Sequence, residues 1–270
     1  MGVLRRHKIL ASVGVVAAVG LGLIAWSVAQ IDSPGPASVD DALDRLHQDG
    51  GDAGPDAAMT PPQGVYDYVG EGREGLSFPP LSQQDGDQIP GTVTHRPRGC
   101  WTFRIDFNAE HWQDWRYCLD TRGAGLAEVG GRSGQTWDLG VSQVSNESLF
   151  VCDPPSPLLP PPTAGTTTEE ACTGTNSALG GETTSAGPSL YVGPDTITVD
   201  GEDLETLHFR GERTLTGAQE GTEHTESWFR ADGLLVRYER DIEIRSDSPV
   251  GAITYTESGW LQLARLEPRR

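Results

Sequence analysis

From Val65 onward, apolar and polar positions alternate with a period of two, starting with Tyr66 and Tyr68 and recurring in short runs divided by Gly, Pro or Asp-Gly. Successive side chains of an extended chain point to opposite faces, so this period predicts strands with one buried face. The runs fall at 91–95, 100–107, 112–119, 125–129, 136–141, 148–152, 196–199, 204–210, 213–216, 223–230, 234–244 and 252–257. In 234–244, Leu234, Val236, Tyr238, Arg240, Ile242 and Ile244 share one side, while Leu235, Arg237, Glu239 and Asp241 share the other. Asp200-Gly201 and Asp232-Gly233 stand between runs, and Asp-Gly is a hairpin signal because it tolerates positive φ. No long amphipathic helical pattern follows residue 63. The expectation is a mainly β domain over 64–268, built as a curved antiparallel sheet or half-open β-barrel.

Three stretches depart from this period. Residues 9–29 run 21 positions without a formal charge, behind Arg5, Arg6 and Lys8 in a short tail, 1–8. As a helix the segment spans about 30 Å, the thickness of a bilayer core. Basic residues before it and acids after it predict one N-terminal transmembrane helix with a cytoplasmic N-terminus and an extracytoplasmic domain at the cell membrane. A cleaved signal peptide ending at Ser27-Val28-Ala29 is the alternative, and both predict export. No cysteine for lipidation follows, and Arg5-Arg6 lacks the flanks of a twin-arginine signal. Residues 30–63, rich in Asp, Gly, Pro and Ala, read as a flexible stalk. Within it, Val39, Leu43 and Leu46 share a helical face, so either a short helix or disorder is expected there. The Pro-, Thr- and Gly-rich stretch 153–188 reads as a long surface excursion from the β domain.

Four cysteines in an exported domain predict disulfides. With Asn108-Ala109-Glu110 as a turn, Cys100 falls opposite Cys118, Trp101 opposite Tyr117 and Phe103 opposite Trp115. That register puts two sulfurs on one rung and leaves Cys152 to pair with Cys172. No metal site is expected, because no Cys-x-x-Cys and no His/Cys set at ligand spacing occurs.

Charge narrows the partners. From Gln30 onward there are 17 basic and 39 acidic residues, a net of −22. That sign repels nucleic acid and anionic headgroups and keeps the domain soluble. The motifs for catalysis and cofactors are missing: the six histidines form no HxH or HxxxH pair, and no GxSxG or phosphate-binding loop occurs. No cofactor and no catalytic residue is predicted, and the protein is expected not to be an enzyme. His95 and His224 each precede a Trp and a Phe-Arg, but ordinary structural roles explain them as well. Asp200, Glu202 and Asp203 offer oxygen ligands for calcium, yet a hairpin turn accounts for the same stretch.

The segment from Thr222 to Ile244, TEHTESWFRADGLLVRYERDIEI, resembles the Trp-then-Gly-Leu hairpin of the LolA/LppX-type lipoprotein carrier superfamily, through Trp228, Gly233, Leu234, Leu235 and Val236. The resemblance covers Thr196 to Thr256. It implies a half-open barrel around an apolar cavity, whereas the Cys100/Cys118 hairpin and the missing plug helices depart from it. As a whole the chain resembles actinobacterial membrane-anchored proteins. The expected function is a non-enzymatic membrane-anchored envelope protein that binds an apolar or lipid-like ligand. Trp101, Phe103, Trp112, Trp115, Trp137, Phe209 and Trp228 would line or back the cavity, although core packing explains each ring as well. The alternative is a structural or interaction module whose proline-rich loop or sheet edge engages an envelope protein.

Overall fold

The computed structural model describes residues 34–49, 59–120, 125–139, 142–248 and 251–270. The expected membrane span at 9–29 lies outside them, and among the described residues no helix is long and apolar enough to cross a membrane. The elements are α1 (Val39–Asp49), β1 (Gly64–Ser77), β2 (Pro80–Gln84), β3 (Gln88–Arg96), β4 (Cys100–Asp106), β5 (His111–Leu119), β6 (Leu126–Asp138), β7 (Gln143–Leu159), β8 (Thr167–Asn176), β9 (Glu182–Val199), β10 (Glu202–Gly217), β11 (Gln219–Phe229), β12 (Leu235–Ser248) and β13 (Gly251–Leu263).

From β3 to β13 each strand pairs antiparallel with the next, and β1 joins β3 on one edge and β13 on the other. The β1–β13 ladder runs from Tyr68↔Leu263 to Leu76↔Tyr255 and closes a barrel. The short β2 continues along the edge of β1 that β3 leaves free, from Arg73↔Gln84 to Ser77↔Pro80. The expected open or half-open sheet is therefore corrected to a closed barrel of twelve strands, with β2 as an added piece. Period-two patterning reports which face a residue takes, but not whether the first and last strands meet.

The stretch 153–188 is corrected as well, because β7, β8 and β9 run through most of it. Pro154 and Pro155 fall in a bulge between the pairs Gly130↔Val151 and Glu128↔Ser156. The β7–β8 ladder stops at Cys152↔Cys172, so these rings occupy positions where no ladder amide is required. The threonines are β-branched and suit strands. Expected runs 125–129 and 136–141 are one strand, β6, and 204–210 and 213–216 are one strand, β10.

Both hairpin signals lie between strands. Asp200 and Gly201 take φ of 52° and 81°, joining Val199 directly to Glu202. At Asp232-Gly233 only Gly233 has positive φ, 88°, in a wider loop closed by Arg230 N–H to Leu234 O at 2.8 Å. Both disulfides form with the expected pairing, Cys100–Cys118 and Cys152–Cys172. The β4–β5 register places Cys100 opposite Cys118, Trp101 opposite Tyr117 and Phe103 opposite Trp115.

Helix α1 is capped by Ser38, whose hydroxyl accepts from Asp41 N–H at 3.2 Å. Its Ala42 and Leu46 pack on Val65 outside the barrel, and Arg45 pairs with Asp106 of β4. This part of the expected stalk is thus docked on the domain. On β12, Arg237, Glu239, Asp241, Glu243 and Arg245 point outward and Val236, Tyr238, Arg240, Ile242 and Ile244 inward. An arginine facing hydrocarbon costs about 2–4 kcal/mol at a bilayer midplane, so this outer face is a water face.

Candidate functional site

One end of the barrel is solid. Trp101, Phe103, Tyr66, Tyr68, Leu234 and Leu261 are buried there in a single core. Trp101 stacks on Tyr117 with centroids 4.5 Å apart, and the Tyr68 hydroxyl donates to Leu235 O. Rings of this size bring much apolar surface out of water and fix each other's orientation.

Towards the other end the interior becomes ionic, in two clusters. The first surrounds Arg240, which follows Tyr238 on the inward side of β12. Its guanidinium bonds Asp85 at 2.7 Å and also Glu257, and lies 3.9 Å from the centroid of the Phe107 ring. The Tyr255 hydroxyl sits between Glu257, at 2.7 Å, and Glu74, at 3.0 Å. Gln135 donates to Glu74 at 2.8 Å, and His111 Nδ1 lies 3.3 Å from the same carboxylate. Burial, reinforced by the charge of Glu257, pushes Glu74 up to about 8. Burial lowers His111 to about 4, with Arg240 acting the same way. Burial also opposes the charge of Glu257, but Arg240, His111 and the Tyr255 bond hold it below the usual carboxylate range.

The second cluster surrounds Arg213 of β10, which bonds Glu170 of β8 at 2.7 Å. Glu128 of β6 and Glu223 of β11 are the further acids around this guanidinium. Burial is the main cause that raises Glu128 to about 7; Glu170 and Glu223 add to it and Arg213 opposes it. Beside them the buried hydroxyl of Ser156, the β7 residue paired with Glu128 just past the bulge, has no hydrogen-bond partner.

These groups separate two spaces. An inner chamber of about 90 Å³ is walled by Trp115, Tyr117, Phe209, Phe229 and Tyr238 and holds the Arg213 cluster. A larger cavity of about 350 Å³ occupies the barrel end where β6–β7, β8–β9, β10–β11 and β12–β13 turn. Its wall includes Trp137, Phe150, Leu215, Ile242, Ile244 and Ile253, and its floor includes His111, Tyr255 and Glu257. Trp115, Glu128, Arg213 and Glu223 line both spaces. Glu128 also lies near Cys152 and Cys172, but the two sulfurs are bonded to each other and so do not act as metal ligands.

The aromatic residues singled out from the sequence divide three ways. Trp115, Trp137 and Phe209 line the cavities, and Trp101 and Phe103 belong to the packed end. Trp112 instead lies under the guanidinium of Arg104, 4.0 Å from its centroid, with Arg132 at 5.7 Å. Trp228 stacks on His208 at 4.3 Å and donates its indole N–H to Asp195 at 2.9 Å. Both follow from alternation: Trp112 sits between inward His111 and Gln113, and Trp228 between inward Ser227 and Phe229. His95 is bound to Pro61 O at 2.9 Å, and Asp203 accepts from Thr198 at 2.8 Å within the hairpin.

The ionic clusters were not anticipated as site residues. Their signal in the sequence was a charge in an inward register position, such as Arg240 between Tyr238 and Ile242. That signal is read only once segments far apart in the chain are brought together, as Arg240 of β12 with Asp85 of the β2–β3 turn.

No family model and no curated protein matches the chain. Among solved structures, the hypothetical lipoprotein YmcC from Escherichia coli (K12) aligns over 86% of this chain and 100% of that one, at 10% identity and a TM-score of 0.32. That score is too low to relate the two folds, so the barrel and its site rest on this chain's own strands and side chains.

Proposed function

We propose that the chain is a non-enzymatic binding protein of the cell envelope, and that its barrel holds an apolar or lipid-like ligand with a polar end. The observation that carries this reading is the cavity of about 350 Å³, within the size range of small-molecule sites, with a mainly apolar lining of aliphatic and aromatic side chains, interspersed with polar ones, and ionisable groups at its floor. Apolar walls favour a hydrocarbon body, while the buried ions favour a polar end that can meet them. The two disulfides support an oxidising compartment, and the N-terminal sequence pattern supports an anchor or export signal. The water-facing charges on β12 support a barrel that stands clear of the bilayer while it carries its ligand.

Native mass spectrometry of the full chain, purified from its own host, tests this. The expected spectrum shows a bound amphipathic molecule released on activation. A clean ligand-free mass, together with no uptake of added alkyl compounds, contradicts it.

A further inference from the structure

We infer that the inner chamber seats an organic ammonium group, a deeper statement of the ligand class that rests on the binding reading above. Three carboxylates, Glu128, Glu170 and Glu223, stand around one guanidinium, Arg213. Only Glu170 is hydrogen-bonded to it. Even setting aside Glu128, which burial raises to about 7, two carboxylates face one guanidinium in a place where uncompensated charge is expensive. A positive group entering the chamber supplies the missing countercharge.

The walls point to the same chemistry independently. Tyr238 meets Trp115 edge-on at 5.6 Å and 76°, Tyr117 meets Phe229 at 6.4 Å and 76°, and Phe209 meets Phe229 at 6.0 Å and 75°. These five aromatic side chains all line the chamber, and aromatic rings attract ammonium ions at their faces. A third observation is the Ser156 hydroxyl, 6% exposed, which lines the chamber with no partner for its Oγ. A metal ion is a poorer fit: among the described residues, the Arg213 acids do not form a set of three donor atoms close enough for one ion. The larger cavity adjoins the chamber through Trp115, Glu128, Arg213 and Glu223, so an ammonium seated inside leaves an attached hydrocarbon against Leu215, Ile242 and Ile244.

The test titrates the full chain in lipid nanodiscs with hexyltrimethylammonium, hexanol and hexanoate, subtracting empty nanodiscs. The expected order is the cation tighter than the alcohol by about tenfold or more, with the carboxylate weakest. Glu223→Gln should narrow the gap between cation and alcohol, with folding checked by circular dichroism; if that variant does not fold, the order measured on the wild-type chain still decides. Equal binding of cation and alcohol, or tighter binding of hexanoate, overturns the ammonium seat and leaves the binding reading standing. Failure of all three compounds to bind overturns both. Tetramethylammonium separates two sources: weak binding without the hexyl tail identifies an amphipath, and equally tight binding identifies a free small amine and contradicts the lipid-like part of the proposed function.

Discussion

Arg240 shows how much depends on single inward-facing ions. It is buried, and Asp85 and Glu257 are both desolvated beside it. Removing one member of such a group strands the others, at a cost of about 3–5 kcal/mol. Arg240→Met should therefore destabilise the domain by that amount in urea unfolding, and more than Arg237→Met on the water face. Protonation gives a second prediction. The folded-state value of Glu74, about 8, lies above its ordinary 4.5, so its contribution is full below about pH 4.5 and is lost as pH rises through 8. Glu128, at about 7, acts in the same direction. His111 is lowered from 6.5 to about 4, so its contribution is present above 6.5 and is lost as pH falls through 4. The groups facing Glu74 are Glu257, Tyr255, Asp85, Arg240, Gln135 and His111. Glu74→Gln should flatten the decline in urea midpoint between about pH 5.5 and pH 8 and make the variant more stable than wild type at the upper end. An unchanged pH profile would contradict a neutral, buried Glu74.

At the scale of elements, the hairpins were the most legible feature. The turn at Asn108-Ala109-Glu110 set the Cys100/Cys118 rung, because pairing within a hairpin depends on a few consecutive residues. Helix α1 was half legible: its apolar face could be read from Val39, Leu43 and Leu46, but not the Val65 surface that it covers. Strands β7 to β9 were hidden by their prolines, since only the partner strand shows that Pro154 and Pro155 sit in a bulge. The ionic clusters were the least legible part, because each gathers residues from strands remote in sequence. The disulfides give a prediction at this scale. Each closes a loop, with sequence separations of 18 and 20, and such links contribute about 2–4 kcal/mol by restricting the unfolded chain. Cys152→Ser with Cys172→Ser should lower the unfolding free energy by that amount. It should also loosen the β7–β8 edge of the large cavity, seen as faster amide exchange at Phe150 and Val151.

For the whole molecule, closure of the barrel through β1 and β13 leaves an interior that is packed with aromatic residues at one end and hollow at the other. The ions lie where these regions meet. Packing alone does not require a hollow end, and a ligand that fills it would add apolar contact without rebuilding the wall. A cavity of about 350 Å³ that binds a ligand loses it when the space is filled. Ile244→Trp, at an inward position of β12 on the cavity wall beside Tyr255, should fill much of that space and leave the β13 ladder intact. The most direct measurement compares solvent-extracted small molecules per chain from wild-type protein and this variant, both purified as full chains from the native host and both confirmed folded. About one amphipathic molecule per wild-type chain and a severalfold loss in the variant are expected when one site takes one ligand. Equal amounts from both proteins, or none from either, would contradict it.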